Sequence, residues 1–166
     1  MLPRTAHFPL SLGHGIGDMI RGDEFLGLAK NYVSGPTEAD WRSAISRAYY
    51  AAFHVARALM SDLGFTTPRA DLAHAFLWRR LSNCGYVPLA LAGSRLNQLR
   101  GERNRADYDL NSDLPGKDAQ AAVTSAAMII STLQTLSEEH QQLITEAMKV
   151  YERDVLREST WRNRPR

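Results

Sequence analysis

The sequence predicts an all-α protein, a four- to five-helix up-and-down bundle that ends in a long C-terminal helix. Apolar residues recur at steps of three and four along most of the chain. No segment alternates with period two for long enough to form a strand. The 166 residues, 44% of them hydrophobic and 23% charged, are enough for one domain around a single core.

The chain divides into three regions by composition. Residues 1–22 hold two of the seven prolines and four of the 11 glycines, which predicts an irregular arm. Residues 23–150 carry the helical periodicity, and we expect them to form the bundle. Residues 151–166 are rich in arginine, and we expect a basic C-terminal tail there.

The helix boundaries follow from capping and breaking residues. Thr37 is a good N-cap, Gly64 is suited to the position after a helix end, and Pro88 and Pro115 mark later helix starts. The sequence predicts helices over residues 23–33, 37–63, 69–83, 89–108 and from 117 to beyond 151.

The last predicted helix carries a heptad pattern of apolar residues, in which His140 also falls. Two interpretations remain open. The helix either packs within its own bundle or contacts a second chain, as expected of a homodimer. The seam residues proposed for such an interface are Ile129, Leu133, Leu136 and Leu143.

The charge is unevenly distributed although the net charge is only +2. Arginine outnumbers lysine by 17 to 3, which fits either a bias in codon composition or phosphate recognition by guanidinium groups.

A single cysteine, Cys84, excludes an intramolecular disulfide. No run is long and apolar enough to span a membrane and no signal-peptide pattern is present, so we expect a cytoplasmic location.

Familiar catalytic motifs are absent from the sequence. There is no HExxH, GxSxG or P-loop pattern, and the five histidines form no pair with metal-ligand spacing. We therefore expect neither a bound metal nor a cofactor.

Two polar segments stand out within the predicted helices. In the second helix, Arg47, Tyr50 and His54 are spaced so that they share one face. In the fourth helix, a group of arginines surrounds Glu102, and Arg103 is four residues before Asp107, the spacing of an ion pair within a helix.

These segments carry a family resemblance. The stretches SRAYYAAFHVARAL (residues 46–59) and RNRADYD (residues 103–109) resemble the HEPN superfamily, named for higher eukaryotes and prokaryotes nucleotide-binding. The resemblance is to a branch of small prokaryotic proteins with an R-x-x-A-D-Y signature, and it covers about residues 23–136. It implies a helical bundle, often dimeric, and in many members a toxin–antitoxin or defence role beside a nucleotidyltransferase.

The resemblance also implies a site. Active members are metal-independent ribonucleases that use R-x(4–6)-H, with Arg and His from two protomers. Arg103 takes the arginine position, Asn104 the following polar position, and Tyr108 stands where the catalytic histidine is expected. An ordinary tyrosine, with a pKa near ~10, is a poor base at neutral pH.

Two other histidines, His54 and His74, are candidates to replace the missing one. His74 lies at the start of the third helix, which we take to be the wrong place for the family site. His54 lies on the second helix, which packs near the fourth in family members. Two interpretations stay open: a composite catalytic site or a buried polar network that fixes helix packing. The residues of the composite site are Arg47, His54, Arg103, Asp107 and Tyr108.

Three functions remain open from the sequence. The first is an RNA-associated protein of a toxin–antitoxin or defence system, with or without ribonuclease activity. The second is a non-catalytic dimerising module that docks a nucleotidyltransferase or another defence protein. The third is nucleotide binding in the bundle, with arginines on the phosphates. Residues expected to contact nucleic acid are Arg95, Arg100, Arg105 and Asn104.

Overall fold

The computed structural model describes residues 21–163 and contains only helices, turns and one isolated bridge among them. Within this range there are six α-helices, one more than the upper end of the expected range. They are α1 Gly22–Val33, α2 Glu38–Asp62, α3 Leu72–Ser82, α4 Val87–Tyr108, α5 Gly116–Gln134 and α6 Glu138–Tyr151. The expected arm lies outside the described residues except for Arg21, which caps α1, and Gly22.

The central helix α2 begins and ends where the sequence predicts. Thr37 accepts a hydrogen bond from the backbone N–H of Asp40, and the Asp40 carboxylate accepts one from Thr37 in return. Gly64, just beyond the helix, has φ +94°, a conformation that costs glycine little.

The core lies around α2, which packs against α1, α3, α4 and α5. Its inner face consists largely of alanines, and their small side chains allow neighbouring helices to approach closely. The alanines of α2 that are fully buried are Ala44, Ala48, Ala51, Ala52 and Ala56.

Helix α3 sits on α4, and a glycine makes this contact close. A Cβ atom at Gly93 would lie 2.6 Å from the backbone nitrogen of Ser82, nearer than any real Cβ comes. Gly93 therefore fixes the distance between α3 and α4, the helices that carry His74 and Arg103.

The expectation of one long C-terminal helix is wrong. Helix α5 ends at Gln134, and α6 starts after Ser137, whose side chain accepts from the backbone N–H of His140. Ser137 followed by Glu138 and Glu139 is an N-cap with acidic residues in the first turn.

The break in the helix also removes the expected seam. Ile129 and Leu133 are buried in the core of their own chain, Leu136 is partly buried against it, and Leu143 on α6 is 61% exposed. These four residues do not form one continuous surface for a second chain. His140 stacks on Tyr86 with ring centroids 4.3 Å apart.

The described part of the expected basic tail packs onto the bundle. After a π-helical turn, Glu152–Leu156, the chain returns to α2 and pairs Trp161 with Phe65 in an antiparallel bridge. The indole N–H of Trp161 donates to the carbonyl of Leu63 at 3.0 Å. No helix in the part of the chain described here combines the length and hydrophobicity needed to cross a membrane.

Candidate functional site

Arg103 lies at the centre of an aromatic cluster between α2 and α4, here called the Arg103 cluster, whose rings are those of Tyr49, Tyr50 and Tyr108. The residue is 6% exposed, and its guanidinium carbon lies 5.2 Å from the ring centre of Tyr49 and 5.5 Å from that of Tyr50. Tyr108, one turn along α4, is 6.0 Å away and is itself 76% exposed. Such cation–π contacts stabilise a guanidinium that has lost most of its water.

The charge of Arg103 is only partly neutralised. Its Nη1 lies 3.9 Å from Oδ2 of Asp107, and the hydroxyl of Ser46 donates to that same carboxylate oxygen at 3.2 Å. Within residues 21–163, Nε of Arg103 is buried and has no hydrogen-bond partner. A buried cation with so few partners leaves positive potential at this surface.

A histidine from α3 joins the cluster through Tyr49. The Tyr49 hydroxyl is hydrogen-bonded to Nδ1 of His74, and the His74 ring lies 4.8 Å from that of Phe53. Burial raises the pKa of Tyr49 to about 12, although the positive charges of Arg103 and Arg100 oppose the increase. The pKa of His74 is lowered by burial, and the charges of Arg103 and Arg100 lower it further.

The two α2 candidates lie on the other side of Tyr50, around Phe25 of α1. His54 stacks on Phe25 with ring centroids 5.4 Å apart and on Tyr50 at 6.2 Å. The exposed Arg47 places its guanidinium 5.8 Å from the Phe25 ring. Burial lowers the pKa of His54, and the charge of Arg57 adds to that effect.

The structure thus divides the five residues of the expected composite site. Arg103, Asp107 and Tyr108 lie together, whereas Arg47 and His54 share Phe25. In the described chain, Tyr50 is the residue that contacts both groups.

The four residues expected to contact nucleic acid differ in their surroundings. Arg95 is exposed, and Arg100 and Asn104 are half-buried. Arg105 forms an ion pair with Asp118 of α5 at 2.8 Å, on the face of α4 turned away from the Arg103 cluster. Arg100, one turn before Arg103, forms neither an ion pair nor a hydrogen bond with any residue in the described range.

The end of α4 that carries the motif is held by Arg42. Its Nη1 donates to the backbone carbonyls of Ala106 at 2.9 Å and Asp109 at 3.0 Å, and its Nη2 donates to the carbonyl of Ser112 at 2.6 Å. A cation at this position satisfies carbonyls that a helix end leaves free and complements the helix dipole. Arg42 therefore fixes the position of Asp107 and Tyr108.

The roles of three of these residues could not be expected from the sequence. Its position on the third helix separates His74 from the expected site, yet the packing of α3 brings it to Tyr49. The sequence marks Tyr49 only as a member of the stretch of residues 46–59, and it does not distinguish Arg42. Their roles depend on contacts between helices far apart in the sequence, for which a single sequence carries no local signal.

Among residues 21–163, histidine, cysteine and carboxylate side chains form no group of three or more that could hold a metal ion. The side chains around Arg103 supply cations, a carboxylate, an imidazole and aromatic rings. Such a set can bind an anion and stack against a planar ring.

Comparison with known proteins gives one match. The family model described as HEPN domain matches residues 20–151, which include every residue of the Arg103 cluster. No curated protein and no solved structure matches this sequence. The match covers most of the chain and agrees with its all-helical fold. The chain belongs to the HEPN domain family.

Proposed function

We propose that this HEPN protein acts on RNA in a prokaryotic toxin–antitoxin or defence system. The observation that carries the proposal is the environment of the Arg103 guanidinium. Its guanidinium is enclosed by Tyr49, Tyr50 and Tyr108, it lies 3.9 Å from the Asp107 carboxylate, and its Nε has no partner within the described chain. A cation held in this way favours an anion at the adjacent surface.

The ring of Tyr108 supports a nucleic acid as that anion. It is 76% exposed beside the buried cation, and an exposed aromatic ring is a surface on which an unpaired base can stack. Stacking contributes about 1–3 kcal/mol per base in single-stranded complexes. A phosphate near Arg100 and Arg103 would place a neighbouring base within reach of this ring.

Cleavage is the catalytic form of this proposal, and the exposed Asp107 supports it. The 2′-oxygen of ribose would attack the adjacent phosphorus while Asp107 takes the 2′-hydroxyl proton, and the bond to the 5′-oxygen would break. The 5′-oxygen would take up a proton from water, leaving a 2′,3′-cyclic phosphate and a 5′-hydroxyl. Arg103 and Arg100 would stabilise the charge on phosphorus in the transition state.

A non-catalytic docking function is the second candidate, and two exposed side chains favour it. Tyr108 and Leu110, at the end of α4, are 76% and 74% exposed. Exposed apolar side chains that lie next to each other are suited to contact with a protein. The partners proposed here are a second copy of the chain, a nucleotidyltransferase or another defence protein.

The test is RNA binding and cleavage in EDTA. The wild-type protein is mixed with labelled tRNA or mRNA, and both the retained RNA and the cleavage products are measured. We expect binding to weaken at least about tenfold in Arg103→Met, which keeps the side-chain volume and removes the charge. Arg153→Met removes the same charge from an exposed position after α6, outside the helices that form the Arg103 cluster, and is the matched control.

RNA cleavage, RNA binding without cleavage, and protein docking predict different results. Fragments with 2′,3′-cyclic phosphate ends that disappear in Asp107→Asn support cleavage. Binding without fragments supports an RNA-associated protein that does not cut. A wild-type protein that neither binds nor cleaves RNA, but is retained by a nucleotidyltransferase through Tyr108 and Leu110, supports the docking function and removes the RNA proposal.

A further inference from the structure

The hydrogen bond between Tyr49 and His74 fixes the tautomer of the histidine. Tyr49 is 1% exposed, and its pKa of about 12 keeps the hydroxyl protonated at neutral pH. Arg103, the cation beside it, has only donors, and within residues 21–163 the acceptor that the hydroxyl meets is Nδ1 of His74. The hydroxyl therefore donates to Nδ1, and the proton of the neutral imidazole is on Nε2.

This tautomer decides what His74 can do. Its Nε2 carries a proton and its lone pair is part of the aromatic ring system, so that nitrogen cannot accept a proton from a ribose hydroxyl. It can donate a hydrogen bond to an anion, and within the described residues it has no partner of its own. The His74 side chain is partly exposed, so a ligand can reach it.

Arg100 supplies the charge next to this donor. It is half-buried, precedes Arg103 by one helical turn, and is unpaired in the described chain. Its positive charge and that of Arg103 both lower the pKa of His74, whereas the charge of Asp71 at the start of α3 raises it. A donor and an unpaired guanidinium on facing helices are the groups that bind a phosphate oxygen.

We propose that Nε2–H of His74 and the guanidinium of Arg100 together bind one phosphodiester group of RNA beside Arg103. This subsite is built from α3 and α4 of a single chain, and it rests on the proposed RNA function. His74 is a binding residue in it, and Tyr49 is the positioning residue that presents its N–H.

The experiment uses RNA that cannot be cleaved, so that binding is measured independently of catalysis. A labelled single-stranded RNA with 2′-O-methyl groups is titrated with the full chain, and affinity is read from fluorescence anisotropy. We expect His74→Ala to weaken binding about tenfold, because a hydrogen bond to a charged group is lost. His74→Gln keeps an N–H donor near the Nε2 position and should stay within about threefold of wild type.

The control is His140→Gln, which changes the half-buried histidine that stacks on Tyr86 and should leave affinity unchanged. Circular dichroism confirms that each variant is folded. If His74→Ala binds as tightly as wild type, or if His74→Gln is as weak as His74→Ala, the subsite is wrong while the RNA function stands. A single-stranded DNA that binds equally well would show that the subsite reads the phosphate without selecting RNA, and would overturn the assignment to RNA.

A second measurement separates failure of the subsite from failure of the proposed function. Nitrogen-15 chemical shifts of His74 should report a proton on Nε2 in the wild type and a mixture of tautomers in Tyr49→Phe. If the protein binds no RNA, the RNA function fails. Inorganic phosphate is then added alone: a shift of the Nε2–H signal keeps an anion site at His74, and its absence removes that as well.

Discussion

The hydroxyl of Tyr49 on α2 is hydrogen-bonded to Nδ1 of His74 on α3, directly beside the buried cation Arg103. This contact joins the helix that carries the first sequence motif to a helix that carries none. It also brings an imidazole to the surroundings of Arg103 on α4, a helix that carries no histidine of its own.

Removing the Tyr49 hydroxyl is expected to destabilise the fold. Tyr49→Phe leaves Nδ1 of His74 without its donor in a partly buried setting, and the free energy of unfolding should fall by about 1–3 kcal/mol. Tyr50→Phe is the matched control, because the Tyr50 hydroxyl has no hydrogen-bond partner in residues 21–163, and it should change stability by less than about 0.5 kcal/mol. Urea unfolding of both variants measures the difference, and equal losses would contradict the assignment.

The two partly buried histidines predict that stability falls on acidification. Burial lowers the pKa of both His54 and His74 in the folded state, so the unfolded chain binds more protons. Their contribution is complete above the unfolded pKa of about 6.5, and it is lost as the pH falls through the lower folded values. The free energy of unfolding should therefore decrease between about pH 7.5 and pH 5.5, where most carboxylates stay ionised.

The double variant His54→Gln/His74→Gln tests the origin of this pH dependence. It removes both titrating groups, so urea midpoints recorded across the same pH range should change less than those of the wild type. An unchanged slope in the double variant would assign the effect to other groups. Glu102 has the opposite effect on the pH dependence of stability, because burial raises the pKa of its carboxyl group in the folded state.

The contrast between predicted and missed features has a physical cause. The ends of α2 were predictable because Thr37 and Gly64 act on their own helix. The break before α6 contains neither proline nor glycine, and the capping pattern at Ser137 was hidden under an unbroken apolar periodicity. Arg103 was found from its motif, whereas His74 reaches the same cluster only through the packing of α3, which no local pattern encodes.

Two glycines of α4 are expected to respond to alanine in opposite directions. Gly93→Ala places a Cβ 2.6 Å from the backbone nitrogen of Ser82, so α3 and α4 must separate and stability should fall by about 1–3 kcal/mol. Gly101 is exposed on the same helix with nothing within 4 Å of an added Cβ. Gly101→Ala should therefore stabilise the protein by about 0.5–1 kcal/mol through helix propensity. Thermal unfolding of both variants measures the change in stability. A Gly93→Ala variant that is more stable than the wild type would contradict the close contact between α3 and α4.

The described C-terminal segment is held by a buried ion pair that a double-mutant cycle can measure. Arg80 of α3 donates to Glu152 at 2.7 Å, and each side chain is 2% exposed. Glu152 also accepts hydrogen bonds from the backbone N–H and the hydroxyl of Thr160, and Arg80 bonds to the half-exposed Glu158. The guanidinium lies 3.6 Å from the ring centre of Phe76, so it is packed as well as paired.

Arg80→Met should cost about 3–5 kcal/mol of unfolding free energy, because it leaves the Glu152 carboxylate buried without its cation. Adding Glu152→Gln removes that uncompensated charge and should recover part of the loss, with a coupling energy above about 1 kcal/mol. Arg153→Met, which breaks the exposed pair with Asp154, should cost less than about 1 kcal/mol. Urea unfolding is measured for the wild type, Arg80→Met, Glu152→Gln and the double variant, which complete the cycle, and for Arg153→Met as the control. A loss for Arg80→Met no larger than that for Arg153→Met would mean that water reaches Glu152 and that the C-terminal segment is not closed over α3.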